Sequence, residues 1–78
     1  MREVKIFLGT IERVKDFVNA VTRLDCDVDI VSGRYVIDAK SIMGIFSVHL
    51  SKAVDLRIHA EGTEAEKAME VISPFIEK

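Results

Sequence analysis

The chain has few of the residues that staple or interrupt a fold: its 78 residues include one cysteine, one proline and four glycines. A lone Cys26 can form no internal disulfide, so a domain of this size must rest on a packed apolar core. Charge breaks up the apolar residues every few positions, and no run approaches the roughly 20 residues that span a bilayer. A membrane partner is therefore not expected. Neither sign of charge dominates, since 11 Lys and Arg against 13 Asp and Glu give a net charge of −2. The broad basic footprint of a non-specific nucleic-acid binder is missing, and nucleic acid is not expected as a partner. Arg2-Glu3-Val4-Lys5 after Met1 lacks the apolar core and cleavage site of a secretory signal, which makes the cytoplasm the expected location. Linker-like Gly/Ser/Pro stretches, repeats and low-complexity tracts are missing too, so residues 1–78 are expected to form a single domain.

The apolar residues that are present fall into periodic segments. Val4, Ile6 and Leu8 alternate with Glu3 and Lys5, the pattern of a strand over residues 2–8. After Gly9, the residues Ile11, Val14, Phe17, Val18, Val21 and Leu24 share one helical face over about residues 11–23, with Thr10 as N-cap. Val28, Ile30 and Val31 mark a second strand ending at the hairpin signal Ser32-Gly33, and Arg34 to Asp38 returns as a third. Ile42 to Leu50 reads as a short helix capped by Ser41, with a strand as the competing reading. Val54, Leu56, Ile58 and Ala60 alternate with Asp55, Arg57, His59 and Glu61, the clearest strand in the chain. Thr63-Glu64-Ala65-Glu66 has the form of a capping box. It opens a last helix with Ala65, Ala68, Met69, Ile72 and Ile76 facing inward, which Pro74 kinks or shortens. The order βαββαβα describes an α+β open-faced sandwich, a four-stranded antiparallel sheet with helices on one face. A ferredoxin-like βαββαβ domain with an added terminal helix fits the same pattern.

Residues able to carry chemistry are sparse. Cys26, His49 and His59 have no ligand-like spacing, so no metal centre is expected. Cys26 reads as a small core residue, His59 as a solvated histidine on a strand, and His49 as a residue near a helix end. Asp25, Asp27 and Asp29 alternate and would share one strand face, first as a solvated surface and second as a site for a divalent cation or a basic partner. No Ser-His-Asp order, nucleophile elbow or P-loop is present, and the sequence implies neither an enzyme nor a cofactor. Thr10 and Ser41 each place a hydroxyl at a helix start, where free amides favour negative charge. A phosphate on Ser41 would sit near those amides with Lys40 adjacent, although Ser41 also reads simply as an N-cap.

The stretch from Asp25-Cys26-Asp27-Val28-Asp29-Ile30 through Lys40-Ser41-Ile42-Met43-Gly44-Ile45-Phe46-Ser47 resembles the HPr family of the sugar phosphotransferase system. The likeness runs without gaps over residues 25–72. It implies the family's βαββαβα open-faced sandwich, and it makes Ser41 of Lys-Ser-Ile-Met-Gly the serine that HPr kinase phosphorylates. Carriers of this family hold their phosphohistidine in a Gly-x-His-Ala-Arg-Pro-Ala segment opening the first helix. Here the segment reads Leu8-Gly9-Thr10-Ile11-Glu12-Arg13-Val14, with Thr10 in the place of the histidine and Glu12 in that of the arginine. Threonine lacks the imidazole nitrogen, and Glu12 sets a carboxylate where a phosphate needs a cation. The resemblance is therefore to the histidine-lacking, catabolite-repression branch, Crh. It implies a regulatory or interaction protein whose partners are proteins: HPr kinase, a transcription regulator or another phosphotransferase-system component. The docking candidates are Ile42, Met43, Phe46 and Val48. A divergent phosphocarrier remains the second reading, and a ferredoxin-like domain binding a small molecule or cation the third.

Overall fold

A computed structural model describes residues 1–47 and 51–76. The elements follow in the order β1 (Arg2–Ile6), α1 (Ile11–Val21), β2 (Asp27–Ser32), β3 (Tyr35–Asp38), α2 (Ile42–Ile45), β4 (Val54–His59) and α3 (Gly62–Ile72), then a 3₁₀ turn, Ser73–Phe75. The strands form one sheet in the order β1-β4-β2-β3, and every pairing is antiparallel. Two split βαβ units of a ferredoxin-like domain would give the strand order β4-β1-β3-β2, so the observed order, and not the antiparallel pairing, excludes the ferredoxin-like alternative.

Alternation sets the two faces of the sheet. Ile6, Val28, Ile30, Leu56 and Ile58 are buried on the helix side, where they meet Val14, Phe17 and Val21 of α1 and Ala65, Ala68 and Ile72 of α3. The opposite face carries Glu3, Lys5, Asp27, Asp29, Asp55, Arg57 and His59, which are exposed or half-buried. Cross-strand ion pairs sit there, Arg57 Nε to Glu3 Oε1 at 2.8 Å and Lys5 Nζ to Asp55 Oδ1 at 3.9 Å. In such exposed positions each pair contributes little beyond register. Among the described residues no helix is long and apolar enough to cross a membrane.

Three local expectations change. Ile11 is 60% exposed, because it is the first residue of α1 and Val14, one turn later, is the first side chain of the helix to be fully covered. The Thr63-Glu66 capping box does not form. Gly62 takes a left-handed φ of +62° and already belongs to α3, so Thr63 lies inside the first turn and Glu61 is the N-cap, with no side-chain bond. The helix after Ser41 spans only Ile42–Ile45, since both the backbone N–H and the hydroxyl of Ser47 close on the Gly44 carbonyl. Val48, His49 and Leu50, included in the longer expectation, lie outside the described residues. Pro74 falls in the 3₁₀ turn that ends α3, as its missing N–H and fixed φ require.

The short helix depends on one close approach. A Cβ on Gly44 would lie 2.7 Å from Ile37 Cγ2 and 3.3 Å from Ser41 Oγ, so α2 rests on β3 through a missing side chain. Gly44→Ala should therefore destabilise the protein by about 1 kcal/mol, the overpacking penalty outweighing the gain in helix propensity. Urea denaturation checks this, and a variant more stable than wild type would mean that Ile37 moves aside freely.

Candidate functional site

Two helix starts carry the residues that the sequence singles out. At the first, Gly9 turns the chain with φ +70°, and a Cβ there would strike the Phe7 ring at 2.8 Å. Thr10 follows in extended conformation and its Oγ1 accepts the Arg13 backbone N–H at 3.2 Å, the N-cap bond of α1. Glu12 is exposed in the first turn. Its carboxylate suits the positive end of the helix but repels any anion brought there. Threonine and glutamate at these positions thus build a sound helix start that offers no nitrogen nucleophile and no free cation.

Arg13 is the residue that sequence reasoning missed. Its guanidinium donates from Nη2 to the Phe7 carbonyl at 3.0 Å and to the Pro74 carbonyl at 3.2 Å, and from Nε to Phe7 at 3.3 Å. It also lies 5.3 Å from the centre of the Phe75 ring. One side chain ties the end of β1, the start of α1 and the 3₁₀ turn together. No sequence signal marks this, because Pro74 is 61 positions away. Arg13→Ala should lower stability by about 2 kcal/mol, through lost charge-assisted bonds and the cation–π contact. Arg13→Lys, which keeps the charge without the planar fork, should recover less than half of that in thermal or urea unfolding.

At the second helix start, Ser41 is exposed in extended conformation and its Oγ accepts the Gly44 N–H at 3.3 Å. Its backbone N–H donates to the Asp38 carbonyl at 3.0 Å. Lys40, expected to stand beside a Ser41 phosphate, has its ammonium on the Leu24 carbonyl at 2.8 Å in a part-buried position. Its own backbone N–H donates to Asp38 Oδ1 at 2.9 Å. Of the docking candidates, Met43 is 77% and Phe46 41% exposed, while Ile42 is half-buried and packs against the core. Val48 lies outside the described residues.

The acidic run does not converge. Asp27 and Asp29 share the open sheet face with Asp38 and His59 around a cleft of about 390 Å³, and His59 Nε2 lies 2.7 Å from Asp29 Oδ2. Asp25 precedes β2 and lines a different cleft of about 590 Å³, with Arg23, Leu24, Cys26, Thr63, Glu64 and Lys67. The expectation of three carboxylates on one strand face fails because β2 begins only at Asp27. Among the described residues no three of His, Cys, Asp and Glu are placed to hold a metal ion. Cys26 is buried and free, in the small-core role its position implied.

Comparison with known proteins bears on the same two helix starts. A family model described as "PTS HPr component phosphorylation site" matches residues 12–78, beginning two residues after Thr10. The chain is 32% identical over 77 residues to the HPr-like protein Crh of Halalkalibacterium halodurans, covering 97% of this chain and 92% of that protein. It is 27% identical over 62 residues to the HPr-like protein Crh of Bacillus subtilis, covering 80% and 73%. Among solved structures, HPr-C-His from Thermoanaerobacter tengcongensis superposes with a TM-score of 0.77 at 26% identity, covering 95% of this chain and 89% of that one. The phosphocarrier protein HPr from Bacillus anthracis gives 0.72 at 26% identity, with 97% and 94% covered.

Proposed function

The chain belongs to the HPr family, and on that footing we propose that it is a regulatory or interaction protein of the phosphoenolpyruvate-dependent sugar phosphotransferase system that carries no phosphohistidine and is phosphorylated on Ser41. Members of this family are phosphocarrier or regulatory proteins rather than enzymes, and they interact with other proteins of the system. In this reading residues 1–78 form one HPr-like domain acting in the cytoplasm, and a kinase supplies all the chemistry.

The observation that carries the reading is Thr10 as the N-cap of α1, its hydroxyl engaged with Arg13 N–H at the position the family resemblance assigns to histidine. A threonine oxygen forms a stable phosphate ester, not the labile N–P bond that a carrier must pass on. The one histidine among the described residues, His59, sits on β4 against Asp29 and not at a helix start. Ser41 in contrast is exposed, and its N-cap geometry tolerates a phosphate, whose oxygens can accept the Gly44 N–H that the hydroxyl now accepts. Because Lys40 Nζ is held by the Leu24 carbonyl, the added charge of roughly −1.5 to −2 would face outward, beside exposed Met43 and Phe46. Those two side chains, with half-buried Ile42 and with Val48, form the docking surface in this reading. A change of charge at its border would favour or repel a protein partner such as a transcription regulator.

The test compares two phosphate donors by intact mass. Incubation with ATP and HPr kinase should add one phosphate, and incubation with phosphoenolpyruvate and enzyme I should add none. Label from enzyme I would instead establish a divergent phosphocarrier.

A further inference from the structure

We propose that the outer edge of β3 pairs with β3 of a second copy of this chain, antiparallel and centred on Val36, to form a transient dimer with one continuous sheet.

The strand order β1-β4-β2-β3 leaves two outer edges, and they are treated differently. Beside β1, Ile76 bridges Ile6 and the Phe7 N–H donates to the Phe75 carbonyl at 2.9 Å, so the C-terminal turn covers that edge at its Ile6 end. Among the described residues no strand or backbone hydrogen bond covers the outer edge of β3, although α2 packs on its face at Ile37. The hairpin sets which of its groups point outward. Ser32 opposes Tyr35 across a two-residue turn, with Gly33 at φ +59°, and Ile30 opposes Ile37. The Ala39 N–H continues the ladder to the Val28 carbonyl at 2.9 Å. Pairs 32/35, 30/37 and 28/39 are then the hydrogen-bonded ones, and Val36, lying between them, turns its N–H and C=O away from β2. No described loop, cap or side chain bonds to either group. Natural edges are usually blunted by lysine, proline or a bulge. This one instead presents Tyr35 at 69% and Val36 at 60% exposure.

Charge identifies the occupant. In an antiparallel pairing about Val36, Arg34 of each copy falls opposite Asp38 of the other, Tyr35 opposite Ile37, and Val36 opposite itself. Ile37 lies across from buried Ile30, so it and Tyr35 are on the helix side, while Val36 and Asp38 lie on the open face; Arg34 stands in the turn just before the strand. Within one copy Arg34 has no ion pair among the described residues, and Asp38 stands opposite Asp29, a like-charge pair. Asp29 has His59 and Arg57 beside it, whereas Asp38 has no ion pair among the described residues, and a second copy's Arg34 would supply one. Slipping the strands removes the match, since one shift sets Arg34 against Lys40 and the other against Val36. A four-residue edge buries far less than the roughly 1,600 Å² of a standard interface, so the dimer should be transient, with a dissociation constant on the order of 0.1 mM.

Sedimentation velocity on the full chain, from about 10 μM to about 1 mM, should show a concentration-dependent passage from monomer to dimer. Arg34→Glu, and Val36→Lys, which sets like charges opposite each other at the two-fold, should each weaken association about tenfold or more. The charge-reversed double variant Arg34→Glu/Asp38→Lys should return it to within about threefold of wild type. A chain that stays monomeric to the top concentration overturns the proposal, and means that any partner of this edge is a different protein. A dimer indifferent to Arg34→Glu and Val36→Lys overturns it as well. Val36→Lys changes an exposed side chain, so it remains informative even if the double variant folds poorly.

Discussion

Ser41→Ala is expected to take up no phosphate from ATP and HPr kinase under conditions in which the wild type takes up one. In the proposed reaction Ser41 Oγ attacks the γ-phosphorus, the bond from that phosphorus to the ADP oxygen breaks, and the serine proton passes to a base on the kinase. Alanine removes the nucleophile. It also removes the N-cap bond to Gly44 N–H, which at 3.3 Å on an exposed four-residue helix is worth about 0.5–1 kcal/mol. The variant should therefore remain folded, and the loss of label cannot be mistaken for unfolding if circular dichroism is read on the same sample. Thr10→Ala is the companion control. It removes the other hydroxyl at a helix start, and its labelling by the kinase should match wild type. Phosphate retained by Ser41→Ala and lost from Thr10→Ala would place the modification at α1 and reverse the assignment.

Phe17→Ala should cost about 4 kcal/mol in urea denaturation, the largest stability change of any substitution considered for this chain. Phe17 has no exposed surface and packs edge-on against Phe75, with centroids 5.4 Å apart and an interplanar angle of 86°. The loss combines transfer of the ring, the cavity left behind and the aromatic pair, the last worth about 1 kcal/mol. A chain of this length has a total stability on the order of 4–12 kcal/mol, so the variant should be partly unfolded at physiological temperature. Because Phe75 also lies under the Arg13 guanidinium, Phe17→Ala and Arg13→Ala should not be additive. A measured cost below about 1.5 kcal/mol would show that the 3₁₀ turn is not seated on α1 as described.

Much of the fold was legible in the sequence because it is governed by local periodicity. Val54, Leu56 and Ile58 alternate with Asp55, Arg57 and His59, and each falls on the face that the alternation assigns. Thr10 and Ser41 cap the helices they precede, since an N-cap needs only a hydroxyl three residues before a free amide. The capping box at Thr63 failed for an equally local reason: Gly62 can take a left-handed φ, and the helix began two residues earlier than the motif implied. For the candidate site, Ser41 and Thr10 could be named from their neighbours in the chain, and the packing of Ile42 against the core could not.

By itself the sequence determined the order of elements, the polar face of the sheet, the two capped helix starts and the family resemblance carried by Lys40 to Ser47. These depend on side-chain spacing along a few turns or a few strand residues, which the chain carries in one dimension. Only the tertiary structure decided the strand order β1-β4-β2-β3, the engagement of Arg13 with Phe7 and Pro74, the diversion of Lys40 to Leu24, and the separation of Asp25 from Asp27 and Asp29. Each of these pairs groups distant in sequence or depends on where an element begins, and the choice among partners is made by packing, when burial of the shared core brings some carbonyls and carboxylates within reach and leaves others in water.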